Sequence, residues 1–412
     1  MIRFSQYLIL SPFLVAVSCT THEADPFSDT KVDYVAVEIK VNDDDLLFWD
    51  VPIRKRAFID TAPADKKDGL VVGELGVDGG KKDIIVKLAQ EIAQGQHGKF
   101  DSLLISHNGK LLFESYYLRG RANLTHPQVS ATKSYTALAL GRAIQLGYLT
   151  MADLNKPLVG FFRDLDPTRF VEGVEKITLH QAMNMRSGIR ISEEQTKEFE
   201  ENPSQLMGQG QVQTLFEQSA PINLESQSFK YQGSDPNLVM QVIDAVVPGS
   251  AADFIKKEFF HKLGITTYGW QIDVSGLPRS GDRASITSRA MVKLGTLALN
   301  KGNWNGEQLI PESFIAKATS RIIETDDDID VFGGGKDVSG QGYGYFWWSA
   351  DLKHGNKNYF SVSAQGGGGQ FILLIEELDL IIVMTAHEGN SKSLQITAER
   401  ILSAFIAARG AH

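Results

Sequence analysis

The sequence predicts an α+β fold in which an antiparallel sheet is flanked by helices and carries an inserted all-helical domain. Both ends of the 412-residue chain combine strands with a helix, and a short turn joins two adjacent strands at each end. Between them, residues 129–264 show mainly helical periodicity with Gly and Pro breaks. We therefore expect residues 81–128 and 265–412 to form an α/β sheet domain and residues 129–264 a mainly helical domain.

The N-terminal part of the sheet domain begins with a predicted helix over Lys82–Ala93. Its apolar residues repeat at helical spacing and form one face: Ile84, Ile85, Leu88 and Ile92. The apolar run 103–106 and the run 110–116 are separated by Asn108-Gly109. Because Asn-Gly readily adopts the positive φ angles of a type I′ turn, these two runs predict a tight β-hairpin.

The C-terminal part shows the same combination in the reverse order. Residues 371–375 and 380–384 are two apolar runs joined by a short acidic turn, which predicts two adjacent antiparallel strands. Residues 392–408 then repeat apolar side chains at helical spacing: Leu394, Ala398, Ile401, Leu402 and Phe405. The sheet is therefore expected to be built from both ends of the chain.

The first nineteen residues resemble an export signal. Arg3 precedes an apolar run over residues 7–17, and small residues stand before Cys19, the one cysteine of the chain. A cysteine after small residues resembles a bacterial lipobox, although Ala16 replaces its usual leucine. We expect residues 1–18 to be an export signal, Cys19 to be lipidated, and residues 19–80 to form a tether and an irregular segment. The alternative is an ordinary signal peptide or signal anchor with a bystander cysteine.

The composition excludes several kinds of function. The net charge of −9 and the pI near 5.6, with no basic run, argue against nucleic-acid binding. We expect a periplasmic enzyme for small neutral or cationic molecules, attached to the membrane only through its lipid. Neither a metal nor a cofactor is expected, because His387-Glu388 lacks a second histidine at ligand spacing. The Gly333–Lys336 run and the Gly340-x-Gly342 pair likewise lack the rest of a nucleotide-binding motif.

Ser130 and Lys133 are the strongest candidates for chemistry. They are three residues apart at the start of an apolar run, residues 134–144, that predicts a buried helix. In a helix, Lys133 can lie beside Ser130 and take its proton, and burial lowers the pKa of the lysine toward the range of a useful base. A second Ser-x-x-Lys, from Ser28 to Lys31, lies in a polar segment without such a helix and is interpreted as chance.

Two further segments extend the candidate site. Tyr231 offers a phenol that can exchange a proton with a lysine. The run Ala364–Gln370 places four glycines beside a predicted strand, where backbone N–H groups can point at an oxyanion. Taken alone, Tyr231 is more readily a packed side chain, and the glycine run is as readily a flexible turn.

Together, in this order, Ser130-x-x-Lys133, Tyr231-x-Gly233 and the glycine-rich strand resemble the serine β-lactamase and penicillin-binding-protein superfamily. The chain is most similar to the branch of class C β-lactamases, related esterases and 6-aminohexanoate-dimer hydrolase. The resemblance spans about residues 80–408 and includes three supporting segments: 177–188, 343–348 and 368–370. It implies a β-lactamase/transpeptidase-like fold.

The resemblance also implies roles for individual residues. Ser130 is the acylated nucleophile, Lys133 its base and Tyr231 the acid/base partner. The backbone N–H groups of Ser130 and Gly367 form the oxyanion hole, with Gly367 assigned to within one residue because of the glycine run. The implied substrate-binding residues are Gln365, Gly366 and Gly233.

Two departures from the family pattern concern the substrate. Ala364-Gln365-Gly366 replaces Lys-Thr-Gly or His-Thr-Gly, so the cation that helps to hold a substrate carboxylate is missing. Gly233 replaces the asparagine of Tyr-x-Asn. We therefore expect a serine hydrolase that acts through an acyl-enzyme on a small ester or linear amide. The alternatives are a β-lactamase or D-amino-acid peptidase, and a non-catalytic penicillin-binding-like lipoprotein.

Overall fold

The strands alternate along the chain with helices and long connections. A computed structural model describes residues 48–325, 334–389 and 391–406. Within these residues the strands are β1 Phe58–Asp60, β2 Phe100–His107, β3 Lys110–Tyr116, β4 His126–Pro127, β5 Tyr268–Trp270, β6 Ala284–Ile286, β7 Asn303–Trp304, β8 Glu307–Gln308, β9 Ile323–Glu324, β10 Val338–Tyr343, β11 Trp348–His354, β12 Lys357–Gly366, β13 Gln370–Ile375 and β14 Leu380–Ala386. The predicted export signal, Cys19 and the second Ser-x-x-Lys copy lie outside the described residues.

Nine of these strands form one antiparallel sheet. Its order is β1-β3-β2-β14-β13-β12-β11-β10-β9, so the strands of the two chain ends meet where β2 pairs with β14. The predicted hairpin is confirmed, and its turn residues Asn108 and Gly109 have φ angles of 49° and 72°. The prediction of an antiparallel sheet built from both ends of the chain is therefore confirmed.

The helices cover both faces of this sheet. In the described residues they are α1 Lys82–Ala93, α2 Thr132–Gln145, α3 Leu179–Met183, α4 Glu193–Glu201, α5 Gly210–Gln218, α6 Ser234–Val246, α7 Ala251–Phe254, α8 Ser288–Leu299, α9 Glu312–Ala318, α10 Ser393–Ile396 and α11 Leu402–Phe405. A π-helical turn, Thr397–Ile401, joins α10 to α11, so the predicted C-terminal helix is interrupted rather than regular. No single described helix is long and apolar enough to cross a membrane, although α6 and Ala251–Leu263, bent by 84°, pass such a test as a pair.

Side-chain alternation divides the core into two apolar clusters, one on each face of the sheet. On β13, Ile372 and Leu374 belong to the larger cluster, whereas Phe371 and Leu373 belong to the smaller one. The larger cluster includes α2, α6 and α8, and the smaller one includes α1 and the C-terminal helices. The named elements between residues 129 and 264 are helical, and α2, α3, α5, α6 and α7 share the larger cluster with the sheet. The domain boundaries given above stay a prediction.

The segment before α1 is mostly irregular but is fixed to the rest of the protein. Its strand β1 pairs with β3 at the edge of the sheet, which the sequence analysis did not anticipate because three residues are too short to show a period. Asp68 is held by Arg289 of α8, whose Nε lies 2.8 Å from Asp68 Oδ2. The same guanidinium donates to Glu114 of β3 at 2.8 Å, so one buried arginine joins this segment, α8 and the sheet.

Candidate active site

Ser130 lies in a short 3-10 turn, Val129–Ala131, that leads directly into α2. Val129 has a φ angle of 48°, in the left-handed region that a β-branched residue rarely adopts. Such local strain is typical of functional sites, where the surrounding structure holds the backbone in place. Ser130 itself is partly exposed, whereas Ala131 and Thr132 are fully buried. The turn therefore presents the serine at the accessible end of a buried helix.

Lys133 lies beside Ser130 on the first turn of α2. Its Nζ is 3.0 Å from Ser130 Oγ and donates a 2.7 Å hydrogen bond to the carbonyl oxygen of Gly281. Burial lowers the pKa of Lys133 to about 8, although the nearby Asp282 carboxylate acts in the opposite direction. About a tenth of this amine is therefore neutral near pH 7, far more than in an exposed lysine, and the neutral form can accept the proton of Ser130.

Tyr231 lies close to both Lys133 and Ser130. The lysine Nζ is 4.7 Å from the centroid of the Tyr231 ring, which packs against Trp348 and Tyr343. Burial raises the pKa of Tyr231 to about 12, and the nearby Ser130 hydroxyl lowers it by less. The phenol oxygen is buried and forms no hydrogen bond of good geometry within the described residues. Tyr231 therefore keeps its proton at neutral pH, close to Ser130 and Lys133.

Asp235 fixes the loop that carries Tyr231, and the sequence analysis missed it. Its carboxylate accepts hydrogen bonds from the backbone N and the Oγ of Ser187, both at 3.0 Å, and from the side chain of Gln232. Burial raises the pKa of Asp235 to about 6 despite these bonds. An acidic residue in the first turn of α6 was visible in the sequence, but such residues are common at helix N-termini, so the pattern did not distinguish it.

The end of β12 packs against the segment that precedes Ser130. A Cβ atom at Gly366 would lie 2.2 Å from the carbonyl oxygen of Gln128, so only glycine fits there. Gly367 follows at once, which brings the glycine run to the nucleophile segment. The four predicted residues Ser130, Lys133, Tyr231 and Gly366 therefore belong to one neighbourhood.

The side chain of Gln365 lies on the opposite face of the sheet. It pairs across from Phe371, which belongs to the smaller apolar cluster, and donates a 2.8 Å hydrogen bond to Ser363 on the same strand. Ala364 is fully buried in the larger cluster, on the face that carries α2. The structure thus places Ala364, rather than the side chain of Gln365, on the side of the candidate nucleophile.

A cleft of about 730 Å³ opens beside Ser130 and Lys133. The predicted residues that line it are Ser130, Lys133 and Gly233, whereas Tyr231, Gln365, Gly366 and Gly367 are not among its lining residues. The sequence analysis missed its far walls, which come from three segments: Thr196, Phe199 and Glu200 of α4; Pro203, Leu206 and Gln211 beyond it; and Ile272, Asp273, Val274, Arg279, Gly281 and Asp282. None of these segments carries a recognisable motif.

Carboxylates outnumber cations in the lining of this cleft. Arg279 Nε donates to Asp282 at 2.9 Å, so its charge is paired. Asp273 accepts hydrogen bonds from neutral groups only, those of Gln211 and Ser275. Glu200 has no ion pair with any described residue. Apart from Lys133, whose pKa is lowered, the cleft therefore carries an excess of negative charge.

Comparison with known proteins identifies the family of the chain. Residues 87–405, more than half of the chain, match the Beta-lactamase family model. The chain belongs to the β-lactamase family. The predicted membership of the serine β-lactamase and penicillin-binding-protein superfamily is thereby confirmed. No curated protein matches the chain in sequence.

Several solved structures have the same fold as this β-lactamase family member. A Bacillus anthracis protein assigned as a 6-aminohexanoate-dimer hydrolase is 16% identical, with a TM-score of 0.58 over 88% of this chain and 93% of that one. A class C β-lactamase mutant is 14% identical, with a TM-score of 0.58 over 78% and 96%. A D-stereospecific amidohydrolase from Streptomyces sp. is 16% identical, with a TM-score of 0.55 over 76% and 98%. At these identities the likeness shows the fold, and the family supports a serine hydrolase in general terms.

Proposed function

We propose that this protein is a serine hydrolase that acts through an acyl-enzyme on a small neutral ester or linear amide. The observation that carries the proposal is the pairing of Ser130 with Lys133. A lysine with a pKa lowered to about 8, 3.0 Å from a serine hydroxyl in an open cleft, is the arrangement that an acyl-transfer nucleophile needs.

In the proposed reaction, neutral Lys133 takes the Ser130 proton while Oγ forms a bond to the substrate carbonyl carbon. The carbonyl electron pair moves to its oxygen, which the backbone N–H groups of Ser130 and Gly367 stabilise. Collapse of this intermediate breaks the bond to the alcohol or amine, which leaves with a proton from Tyr231. The Lys133 ammonium returns a proton to Tyr231, and water then hydrolyses the acyl-enzyme by the reverse sequence.

The charge of the cleft supports a substrate without a carboxylate. Ala364 offers no cation where the family has lysine or histidine, and the one guanidinium of the lining, on Arg279, is paired with Asp282. A carboxylate entering the cleft would lose its hydration and would meet Glu200 and Asp273 instead of a partner. A neutral ester or amide carries no such cost.

Labelling with a fluorophosphonate probe tests the nucleophile. We expect the wild-type protein to be labelled and Ser130→Ala to remain unlabelled. Ser28→Ala is the matched control, because it removes the serine of the other Ser-x-x-Lys copy, and it should label like wild type. Equal labelling of Ser130→Ala and wild type, or no labelling of either, would refute the proposal.

A substrate panel tests the acyl and leaving groups. Turnover of p-nitrophenyl butyrate, a chromogenic cephalosporin and a small linear amide should be compared at equal enzyme concentration. The ester should be hydrolysed fastest and the cephalosporin slowest. A cephalosporin rate above the ester rate would leave the serine hydrolase in place and would overturn the substrate class.

Export and lipid anchoring through Cys19 form a separate proposal. Its support is the residue pattern at positions 1–19, and by it the enzyme lies in the periplasm, held at the membrane by its lipid. Expression of wild type and Cys19→Ser in a bacterial host, followed by separation of membrane and soluble fractions, tests it. Wild type should sediment with membranes and Cys19→Ser should not. Equal partition of both proteins would contradict lipidation at this cysteine.

A further inference from the structure

A buried carboxylate and two histidines form a cluster at the start of β2, outside the catalytic cleft. Asp101 is fully buried, and its Oδ2 accepts hydrogen bonds from His126 Nε2 at 3.1 Å and from His387 Nδ1 at 2.7 Å. Its Oδ1 accepts a third bond, of 2.9 Å, from the backbone N of Arg119. The described residues contain no group of three or more His, Cys, Asp or Glu side chains arranged to hold a metal ion. The hydrogen bonds of Asp101 join the segments of Arg119, His126 and His387.

One histidine of the cluster belongs to the segment that leads to the nucleophile. The carbonyl oxygen of His126 accepts a 2.7 Å hydrogen bond from the side chain of Gln128, whose Oε1 accepts a 2.6 Å bond from the Tyr135 hydroxyl on α2. Val129, with its strained backbone, and Ser130 follow immediately. The position of His126 is therefore coupled to the position of the serine by a short, fully hydrogen-bonded path.

The other histidine belongs to the segment that holds the glycine run. The residue after His387, Glu388, donates its backbone N–H to the carbonyl oxygen of Gly368 at 3.0 Å. The residue before it, Ala386, accepts a 2.6 Å hydrogen bond from the side chain of Gln370. The segment around His387 thus fixes both sides of the glycine run that contains the proposed oxyanion donor.

Aromatic side chains of the segment before β1 pack against the two histidines. The ring of Phe48 lies 4.3 Å from that of His126 and 6.2 Å from that of His387, and Trp49 contacts His387 at 5.8 Å. Burial alone would raise the pKa of Asp101, but the hydrogen bonds from the two histidines outweigh it and hold that pKa below its usual value. The Asp101 carboxylate is therefore buried and paired through both oxygens, and loss of one partner leaves a buried polar group unpaired.

We propose that Asp101 is a positioning residue for the reaction proposed above, because it joins the nucleophile segment and the glycine run through His126 and His387. By this proposal, one carboxylate fixes the separation between Ser130 and the backbone N–H of Gly367. An error of about 1 Å in such a separation lowers turnover by about 100-fold. This inference rests on the proposed serine hydrolase. A purely structural role for the cluster would not depend on that activity.

The test compares Asp101→Asn with Glu91→Gln on an ester that wild type hydrolyses. Glu91 is the matched control, since this α1 carboxylate also binds a histidine, His97 at 2.9 Å, and an arginine, Arg400, next to the smaller apolar cluster. Both variants should lower the thermal midpoint. Asp101→Asn should lower kcat about 30- to 100-fold, with KM changed less than about threefold, whereas Glu91→Gln should leave kcat unchanged.

Substitutions of His387 keep the test decisive if Asp101→Asn does not fold. His387→Asn retains an N–H donor close to the position of Nδ1, and His387→Ala removes it. At a temperature well below both thermal midpoints, we expect His387→Asn to keep most of the wild-type kcat and His387→Ala to lose it. The thermal midpoint of His387→Ala should be the lower of the two, because Asp101 loses a hydrogen-bond partner. Equal kcat values for these two variants, or a wild-type kcat in folded Asp101→Asn, would overturn the inference. A wild-type protein that neither labels nor turns over would overturn the proposed function, and this inference with it.

Discussion

The two ends of the candidate active site, the start of α2 and the end of β12, differ in what they retain. At the α2 end, Lys133 contacts Ser130, Gly281 and the Tyr231 ring, so the proposed nucleophile and the proposed base lie within hydrogen-bond distance. At the β12 end, Ala364 is a small apolar residue buried in the core, where the family has a cation. The difference separates two tasks, since activation of the nucleophile depends on one element and recognition of a substrate anion depends on another.

Under the proposed function, this separation would let a family member change its substrate and keep its chemistry. The hydrogen bonds of Lys133 go to Ser130 and to the loop at Gly281, and neither of them involves β12. A change at Ala364 can therefore alter the charge near the candidate site while the lysine stays in place. What the two ends share is their backbone contact, the carbonyl of Gln128 against Gly366.

Removal of the base at the α2 end should have the largest effect. Lys133→Met keeps the length of the side chain but cannot accept a proton, so kcat for an ester should fall about 10³-fold. Lys293→Met is the control, because Lys293 is also buried and donates to a backbone carbonyl, that of Gly264 at 2.9 Å. Steady-state kinetics should show near-normal turnover for Lys293→Met. Retained turnover in Lys133→Met would mean that another group is the base.

Disturbance of the backbone contact between the two ends should have the next largest effect. In Gly366→Ala the new methyl would lie 2.2 Å from the Gln128 carbonyl oxygen, so the strand or the nucleophile segment has to move. We expect a loss of ~1–3 kcal/mol in the free energy of unfolding and a fall in kcat of about 30-fold.

Gly160→Ala is the control for this change, because no described atom lies within 4 Å of the position that its new methyl would occupy. It should leave both quantities close to wild type, as measured by denaturant unfolding and ester turnover. A Gly366→Ala variant with wild-type kcat would show that the two ends do not need this contact.

The α2 end could be predicted from the sequence because its signals are local. Ser130 and Lys133 share a helix face, and the apolar run over residues 134–144 indicated the burial that lowers the lysine pKa. The partner of the lysine, the Gly281 carbonyl, could not be predicted, since a backbone oxygen 148 residues away leaves no pattern. The same holds for Asp101, whose two histidines come from distant segments.

The β12 end could have been predicted better than it was. Side chains alternate along a strand, so residues 364 and 366 share one face and residue 365 lies on the other. Gly366 had to be close to the nucleophile for the glycine run to contribute, and that alone predicted the placement of Gln365 away from the cleft. The overlooked signal was the period of the strand, not a missing motif.

The pH dependence of turnover should reveal a moderate effect that arises at the α2 end, from the titration of Lys133. Lys133 acts as the base only when neutral, and burial lowers its pKa to about 8. Because the neutral fraction rises with pH, kcat/KM for a neutral ester should increase about tenfold from about pH 7 to about pH 9 and then level off. Tyr231, with its pKa raised to about 12, should not contribute a descending limb in this range. A profile that is flat over this range would contradict the assignment of Lys133.

Restoration of a cation at the β12 end should have the smallest effect. Ala364→Lys introduces a charge beside the cleft, so kcat/KM for an ester that carries a carboxylate should rise about fivefold, ~1 kcal/mol, relative to a neutral ester. The gain stays small because the new ammonium has to reach the cleft from a buried position and still faces the carboxylates of Glu200 and Asp273. Ala364→Met, with similar length and no charge, should show no change in this ratio. An equal gain with methionine would assign the effect to side-chain volume. The α2 and β12 ends of the candidate site would then differ in shape rather than in charge.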